Sequence, residues 1–96
     1  MRVLVCYDVA NTDRHGQRRL RKIAEACRDH GVRVQFSLFE CQLAERDWVG
    51  LRARLLGLFD SEQDSLRFYL ISEDSARKTE HHGVRMPIDV TAQLVI

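Results

Sequence analysis

The 96-residue chain has few cysteines and no long apolar run. The three cysteines, Cys6, Cys27 and Cys41, are odd in number and lack CxxC spacing. They predict neither a disulfide framework nor a zinc site, and we expect buried thiols. No stretch approaches the roughly 18 apolar residues that a membrane span needs. Because Met1-Arg2-Val3 leads directly into strand-like sequence, with no charged start and cleavable apolar segment, we expect a cytoplasmic protein without membrane contact.

Several catalytic motifs are also missing. The chain has no glycine-rich phosphate loop, serine elbow, cysteine–histidine pairing or internal repeat. Its histidines lack metal-ligand spacing with one another, and we interpret them as surface or turn residues: His15, His30, His81 and His82. A chain of this length with 45% apolar residues predicts one compact domain over residues 1–96, with no room for a second.

The net charge of +1 argues against a nucleic-acid-binding protein, but the distribution of charge argues for one. Seven cations and two acids occupy residues 14–33, whereas six acids and three arginines occupy residues 34–64. Helical spacing gathers five cations on one solvent-facing side, which we call the basic ridge: Arg14, Arg18, Arg21, Lys22 and Arg28. Such a ridge is either a solvated helix face or a phosphate-binding surface, and the scarcity of nearby acids favours phosphate binding.

Hydrophobic periodicity predicts the elements. Val3 to Tyr7 read as a central strand that ends at Asp8, and a helix follows whose apolar spacing stops at His30-Gly31. Alternation from Val32 to Leu43 changes phase at 37–39, which predicts two short strands or one bent strand. A second helix is expected at about 45–59, with inward residues Trp48, Leu51, Leu55 and Phe59. A largely buried strand should span 66–71, and an alternating strand should follow Pro87 at about 87–96.

The order βαββαβ with an extra C-terminal strand predicts an α+β, ferredoxin-like fold, in which two helices cover one face of an antiparallel sheet. Nothing in the chain supplies a third helix for the other face. We therefore expect a two-fold homodimer packed through that face, with the terminal strand at about 87–96 crossing to pair with the partner subunit.

Asp8 has two interpretations. An aspartate after a strand often caps the next turn. Alternatively, a two-fold axis near the strand ends would bring Asp8 of each subunit together. Two carboxylates about 4 Å apart repel by about 4 kcal/mol at an effective dielectric constant near 20, so they would share a proton or hold a cation. Mg²⁺ suits that role, because it binds one or two carboxylates and keeps several waters.

The sequence also resembles a known family. The pieces "YDV", "RRLRK", "GVRVQFSLFEC", "RARLL", "DSLRFYLI" and "EHHG" are similar in kind and order to the small CRISPR-associated spacer-acquisition proteins, the Cas-two family. The pieces "RVQFSLFEC" and "DSLRFY" most resemble its type I-C subgroup. The resemblance covers nearly the whole chain.

This resemblance implies a ferredoxin-like homodimer in the prokaryotic cytoplasm, with Asp8 as the catalytic, Mg²⁺-binding residue; another divalent cation would serve equally. It implies a metal-dependent endonuclease acting on single-stranded RNA or double-stranded DNA. It also implies an alternative, non-catalytic role as a DNA-binding scaffold that bridges CRISPR integrase subunits. The residues that would bind nucleic acid are Arg18, Arg19, Arg21, Lys22, Arg33, Ser37 and Phe39. A regulatory domain for small molecules remains the third alternative.

Overall fold

A computed structural model describes residues 1–72 and 80–83 of the chain. Its elements follow the order strand, helix, strand, strand, helix, strand: β1 (Arg2–Asp8), α1 (Arg14–Arg28), β2 (Gly31–Gln35), β3 (Leu38–Gln42), α2 (Glu45–Leu58) and β4 (Ser65–Ile71). The strands form one antiparallel sheet in the order β2-β3-β1-β4. This is the predicted α+β, ferredoxin-like arrangement. The predicted strand at about 87–96 lies outside the described residues.

Strand β1 lies between β3 and β4, as its apolar sequence predicts. Val3 and Val5 are fully buried on the face that the helices cover. The register places Val5 opposite Phe39 of β3 and Phe68 of β4, which aligns the apolar side chains of three strands. The core therefore lies between this face and the two helices.

The phase change in the third segment produces two short strands. Arg33 pairs with Phe39, but the next pair is Gln35 with Leu38, so the register shifts beside a turn at residues 36 and 37. Because of this shift, the inward-facing positions are even-numbered residues in β2 and odd-numbered residues in β3. Phe39 and Cys41 are consequently fully buried, and for Cys41 this agrees with the expected buried thiol.

The helices pack their apolar sides on the sheet. Helix α1 begins after Asp13, whose side chain accepts a hydrogen bond from the Gly16 N–H at 2.8 Å. Its buried residues include Ile23, Ala24 and Cys27. Helix α2 has no side-chain cap at its start, and its hold on the sheet comes from packing. The predicted inward residues Trp48, Leu51 and Leu55 are buried, and Phe59 is partly buried.

Strand β4 is less buried than the sequence predicts. Tyr69 and Leu70 are 46% and 64% exposed. The physical reason is position, because β4 is an edge strand of the described sheet and its side chains have neighbours on one side only. In the part of the chain that the structure describes, neither helix is long and apolar enough to cross a membrane.

Candidate functional site

Asp8 ends β1 with an exposed side chain. Its register partner is Ser65, the first residue of β4, so a hydroxyl lies opposite the carboxylate on the same face of the sheet. The helix that follows is capped by Asp13, not by Asp8. Asp8 is therefore not the cap of α1, and its carboxylate lies at the surface.

The turn between β2 and β3 is fastened beside Asp8. The Tyr7 N–H donates to the Ser37 carbonyl at 3.1 Å, and the Tyr7 hydroxyl donates to the Phe36 carbonyl at 3.2 Å. Burial raises the pKa of the Tyr7 hydroxyl, with Arg33 opposing that rise, so the hydroxyl stays a protonated donor at neutral pH. The exposed side chain of Ser37 is thereby held near the end of β1.

Arg33 and Phe39, which pair across β2 and β3, have different environments. The Arg33 side chain is exposed, and its guanidinium carbon lies 5.2 Å from the centroid of the Phe39 ring. Phe39 itself is fully buried and stacks with Tyr7 at a centroid distance of 6.3 Å. In this conformation its ring offers no face to a nucleic-acid base. The structure thus places Phe39 in the core and Arg33 at the surface above it.

The basic ridge follows the loop that leaves Asp8. Arg14, Arg18, Arg21 and Arg28 are exposed, and Lys22 is half-buried. Arg21 lies 3.8 Å from Glu25 one helical turn later, with both side chains more than half exposed. An ion pair this exposed contributes little and leaves the guanidinium accessible to a phosphate. The ridge therefore retains its positive character in the folded chain.

Arg19 does not share the exposure of its neighbours. Its side chain is 17% exposed, and its Nε donates to the fully buried carboxylate of Asp64 at 2.8 Å. Its Nη2 donates to the same carboxylate at 3.2 Å and to the Ala10 carbonyl at 3.2 Å. These bonds turn the guanidinium toward the protein. Its predicted contact with nucleic acid stays a prediction, and its observed contacts are with the loop after β1.

Asp64 lies in the segment between α2 and β4, and the sequence pattern does not single it out as a functional residue. Its carboxylate also accepts hydrogen bonds from the backbone N–H groups of Ala10, at 3.0 Å, and Asp60, at 2.9 Å. Burial alone would raise the pKa of Asp64, but the hydrogen bonds from Arg19, Asp60 and Ala10 together hold it below its ordinary value. Asp64 is therefore an ionised, buried centre that joins three segments.

Two of the three cysteines are buried as expected, whereas Cys6 is only partly buried. Cys27 and Cys41 are fully buried, and burial raises the pKa of Cys27 to about 12 and that of Cys41 to about 11. The Cys41 thiol lies 3.9 Å from the Cys27 carbonyl oxygen that it faces as a weak donor. Thiols that stay protonated at neutral pH are poor nucleophiles and poor metal ligands, so thiol chemistry has no place at this site.

The residues that a divalent cation would meet are few. Among residues 1–72 and 80–83, no group of three His, Cys, Asp or Glu side chains could hold a metal ion. One chain offers the Asp8 carboxylate with the Ser65 hydroxyl opposite. Oxygen donors of this kind suit a hydrated Mg²⁺, which binds through one or two carboxylates and waters. Asp8 and Ser65 are thus oxygen donors of the kind that would hold such a cation, and in the described residues this pair includes one carboxylate.

The fold and this site define a class of small ferredoxin-like domains that carry one exposed carboxylate at the end of the central strand beside an arginine-rich helix. The family model described as "CRISPR associated protein Cas2" matches residues 1–79. The chain belongs to the Cas2 family of CRISPR-associated proteins.

Relatives and solved structures agree with this assignment. The chain is 46% identical over 96 residues to the CRISPR-associated endoribonuclease Cas2 of Nitratidesulfovibrio vulgaris, covering 100% of this chain and 94% of that protein. It is 41% identical over 95 residues to the CRISPR-associated endonuclease Cas2 of Halalkalibacterium halodurans, covering 99% of each. The crystal structure of Streptococcus pyogenes Cas2 at pH 6.5 matches with a TM-score of 0.77 and 42% identity, covering 86% of this chain and 100% of that chain.

Proposed function

We propose that this chain is a metal-dependent endonuclease of the CRISPR spacer-acquisition machinery, which hydrolyses phosphodiester bonds in single-stranded RNA or double-stranded DNA in the prokaryotic cytoplasm. The observation that carries the proposal is the exposed carboxylate of Asp8 at the end of the central strand, next to the start of an arginine-rich helix. The names of the relatives, endoribonuclease and endonuclease, support it.

The catalytic unit in this proposal is a homodimer. Each chain has one exposed acid at the end of β1, and a two-fold axis near the strand ends would place the two Asp8 carboxylates face to face. Their repulsion, about 4 kcal/mol at 4 Å and an effective dielectric constant near 20, would favour binding a cation between them. A bound Mg²⁺ would supply positive charge that activates water and stabilises negative charge on the phosphate.

The chain's own cations hold the substrate in this mechanism. The exposed arginines of the basic ridge and Arg33 present planar guanidinium groups, which bind phosphate oxygens through two parallel hydrogen bonds. Two bonds from Tyr7 hold the backbone of Phe36 and Ser37 next to the end of β1, and the exposed Ser37 hydroxyl would be a further donor to the phosphate backbone. These contacts would orient one phosphodiester toward Asp8. Holding the reacting groups in the right geometry lowers the barrier to the reaction.

The basic ridge also favours a second candidate function. A dimer that displays two such helices could bind duplex DNA as a scaffold between CRISPR integrase subunits, without hydrolysis. In that case the arginines would carry all of the function, and Asp8 would be dispensable. Neutralising phosphates with arginines releases counterions, so both functions predict DNA binding that weakens steeply as salt rises.

The two functions are separated by Asp8→Asn, which keeps the shape of the side chain and removes its charge. We expect this variant to lose Mg²⁺-dependent cleavage of single-stranded RNA and duplex DNA by about a hundredfold or more, because the cation loses its anionic ligands. Its affinity for uncleaved duplex DNA should stay close to that of the wild type. Cleavage and affinity for duplex DNA are measured, with and without chelator, on the wild type and the variant purified in parallel.

The matched control is Asp47→Asn, which removes an exposed acid from the first turn of α2. It should cleave like the wild type. Equal cleavage by wild type and Asp8→Asn would contradict the hydrolytic proposal. If DNA binding in that case still fell when Arg18 and Arg21 were replaced by Ala, the scaffold function would stand.

A further inference from the structure

The contacts between Arg19 and Asp64 hold both backbone polar groups of one residue. The Ala10 N–H donates to Asp64 Oδ1 at 3.0 Å, and the Ala10 carbonyl accepts from Arg19 Nη2 at 3.2 Å. The ion pair itself spans 2.8 Å, and its carboxylate is fully buried. We call Arg19, Asp64 and the Ala10 backbone the loop clamp. It fixes the chain where β1 passes into the loop before α1.

The loop clamp lies next to Asp8 in two directions. Ala10 follows Asp8 by two residues, and Asp64 immediately precedes Ser65, the register partner of Asp8. The backbone of Asp8 is therefore flanked by its pairing with β4 and by the clamped loop. A shift of Ala10 or of the start of β4 would reach Asp8 through one or two residues of backbone.

Gly16 adds a second restraint on the same loop. A side-chain carbon at Gly16 would overlap the Ala10 carbonyl oxygen, so the first turn of α1 packs directly on the clamped residue. The Asp60 N–H also donates to Asp64 at 2.9 Å, which anchors the turn before β4 to the same carboxylate. The loop after Asp8 is thus held by α1 and by the turn before β4 together.

We propose that Arg19 and Asp64 are positioning residues for Asp8: they fix the backbone that aims the strand-end carboxylate. The proposal rests on the proposed function, since it assigns these residues a role in the reaction that Asp8 performs. It also gives Arg19 a task other than phosphate binding. Displacement of a reacting group by about 1 Å can cost about a hundredfold in rate, so a clamp of this kind has a measurable effect.

The test compares Asp64→Asn, Arg19→Gln and Arg19→Lys with the control Arg54→Gln. The control breaks an exposed ion pair with Asp29 of similar length, 3.1 Å, that contacts no part of the loop. Arg19→Lys keeps the charge and loses the planar fork, which separates positioning from phosphate binding. Three quantities are measured: kcat and KM of Mg²⁺-dependent cleavage, affinity for uncleaved duplex DNA, and hydrogen exchange of the backbone amides of residues 8 to 10.

All three clamp variants should lose kcat by about tenfold to a hundredfold, with KM and DNA affinity changed less than about threefold. The Ala10 amide should exchange faster in each variant. Asp64→Asn changes the acceptor of its hydrogen bond, and the two Arg19 variants change the ion-pair partner of that acceptor. Arg54→Gln should match the wild type in all three measurements. Melting temperatures identify any variant that fails to fold, and Arg19→Lys, the mildest change, then carries the test.

Each of the following results would overturn the proposal. Faster exchange at Ala10 with unchanged kcat would make the clamp structural only. Weaker DNA binding in Arg19→Gln, recovered in Arg19→Lys and absent in Asp64→Asn, would make Arg19 a phosphate ligand. If Asp8→Asn abolishes cleavage while both Arg19 variants and Asp64→Asn keep a normal kcat, this proposal alone fails. If Asp8→Asn cleaves normally, the proposed function fails, and the assignment of a role in catalysis fails with it.

Discussion

Arg18 and Arg19 are identical neighbours that the fold uses differently. Successive helical residues are about 100° apart, so Arg18 points to solvent while Arg19 points to the turn before β4. Helical spacing already separates Arg19 from the basic ridge, and that part was predictable. The identity of its partner was not, because Asp64 lies 45 residues away and only the folded chain brings the two together.

Phe39 is a residue whose position in the fold and whose role assigned by resemblance differ. The phase change places it on one face with Cys41 and Leu43, and the structure shows that this face lies in the core, with the Phe39 ring fully buried. The resemblance to the family assigned it to nucleic-acid binding as well. A buried aromatic ring can influence the surface through the cation above it, here Arg33, without touching a ligand.

Replacing Phe39 by Ala should therefore reduce the free energy of unfolding by about 3–5 kcal/mol, because it removes a large side chain from a packed core. Denaturant unfolding measures this loss. Phe36→Ala is the control, since Phe36 is 77% exposed and should change stability by less than about 0.5 kcal/mol. A Phe39→Ala protein as stable as wild type, with weakened nucleic-acid binding only, would contradict the core assignment.

The helices and strands were largely predictable, because the spacing of apolar residues differs between a helix and a strand. Apolar residues at helical spacing place α1 and α2, and the register shift in the third segment accounts for the turn between β2 and β3. The exposure of β4 was not predictable, since a run such as Leu66 to Ile71 reads the same in a central and an edge strand. Strand order depends on contacts between distant segments, which local pattern does not encode.

Two glycine substitutions test whether α1 packs closely against the loop after β1. Gly16→Ala should destabilise the protein, because the added carbon overlaps the Ala10 carbonyl oxygen. Gly50→Ala is the matched control in α2, where nothing lies near the added carbon, and it should stabilise by about 0.5–1 kcal/mol through helix propensity. Denaturant midpoints of the wild type and both variants, measured under the same conditions, show whether each substitution stabilises or destabilises the protein. Two stabilising substitutions would show that α1 does not contact Ala10 closely.

At the scale of the whole molecule, one face of the sheet is covered by α1 and α2. Its other face carries Arg2 and Glu40, an ion pair of 3.3 Å whose side chains are only 2% and 8% exposed. The two-fold dimer is our prediction for how that face is used in solution. Each chain has one carboxylate at the end of β1, and in our proposal the second comes from the partner subunit. This is why the cation site could be proposed from symmetry but not read from a motif.

The most direct measurement of that claim is the stoichiometry of Mn²⁺ binding, since Mn²⁺ shares the oxygen ligands of Mg²⁺ and is visible by electron paramagnetic resonance. The account predicts about one bound ion per two chains in the wild type and loss of that site in Asp8→Asn. The same stoichiometry and affinity in Asp8→Asn, or one tightly bound ion per chain, would contradict it.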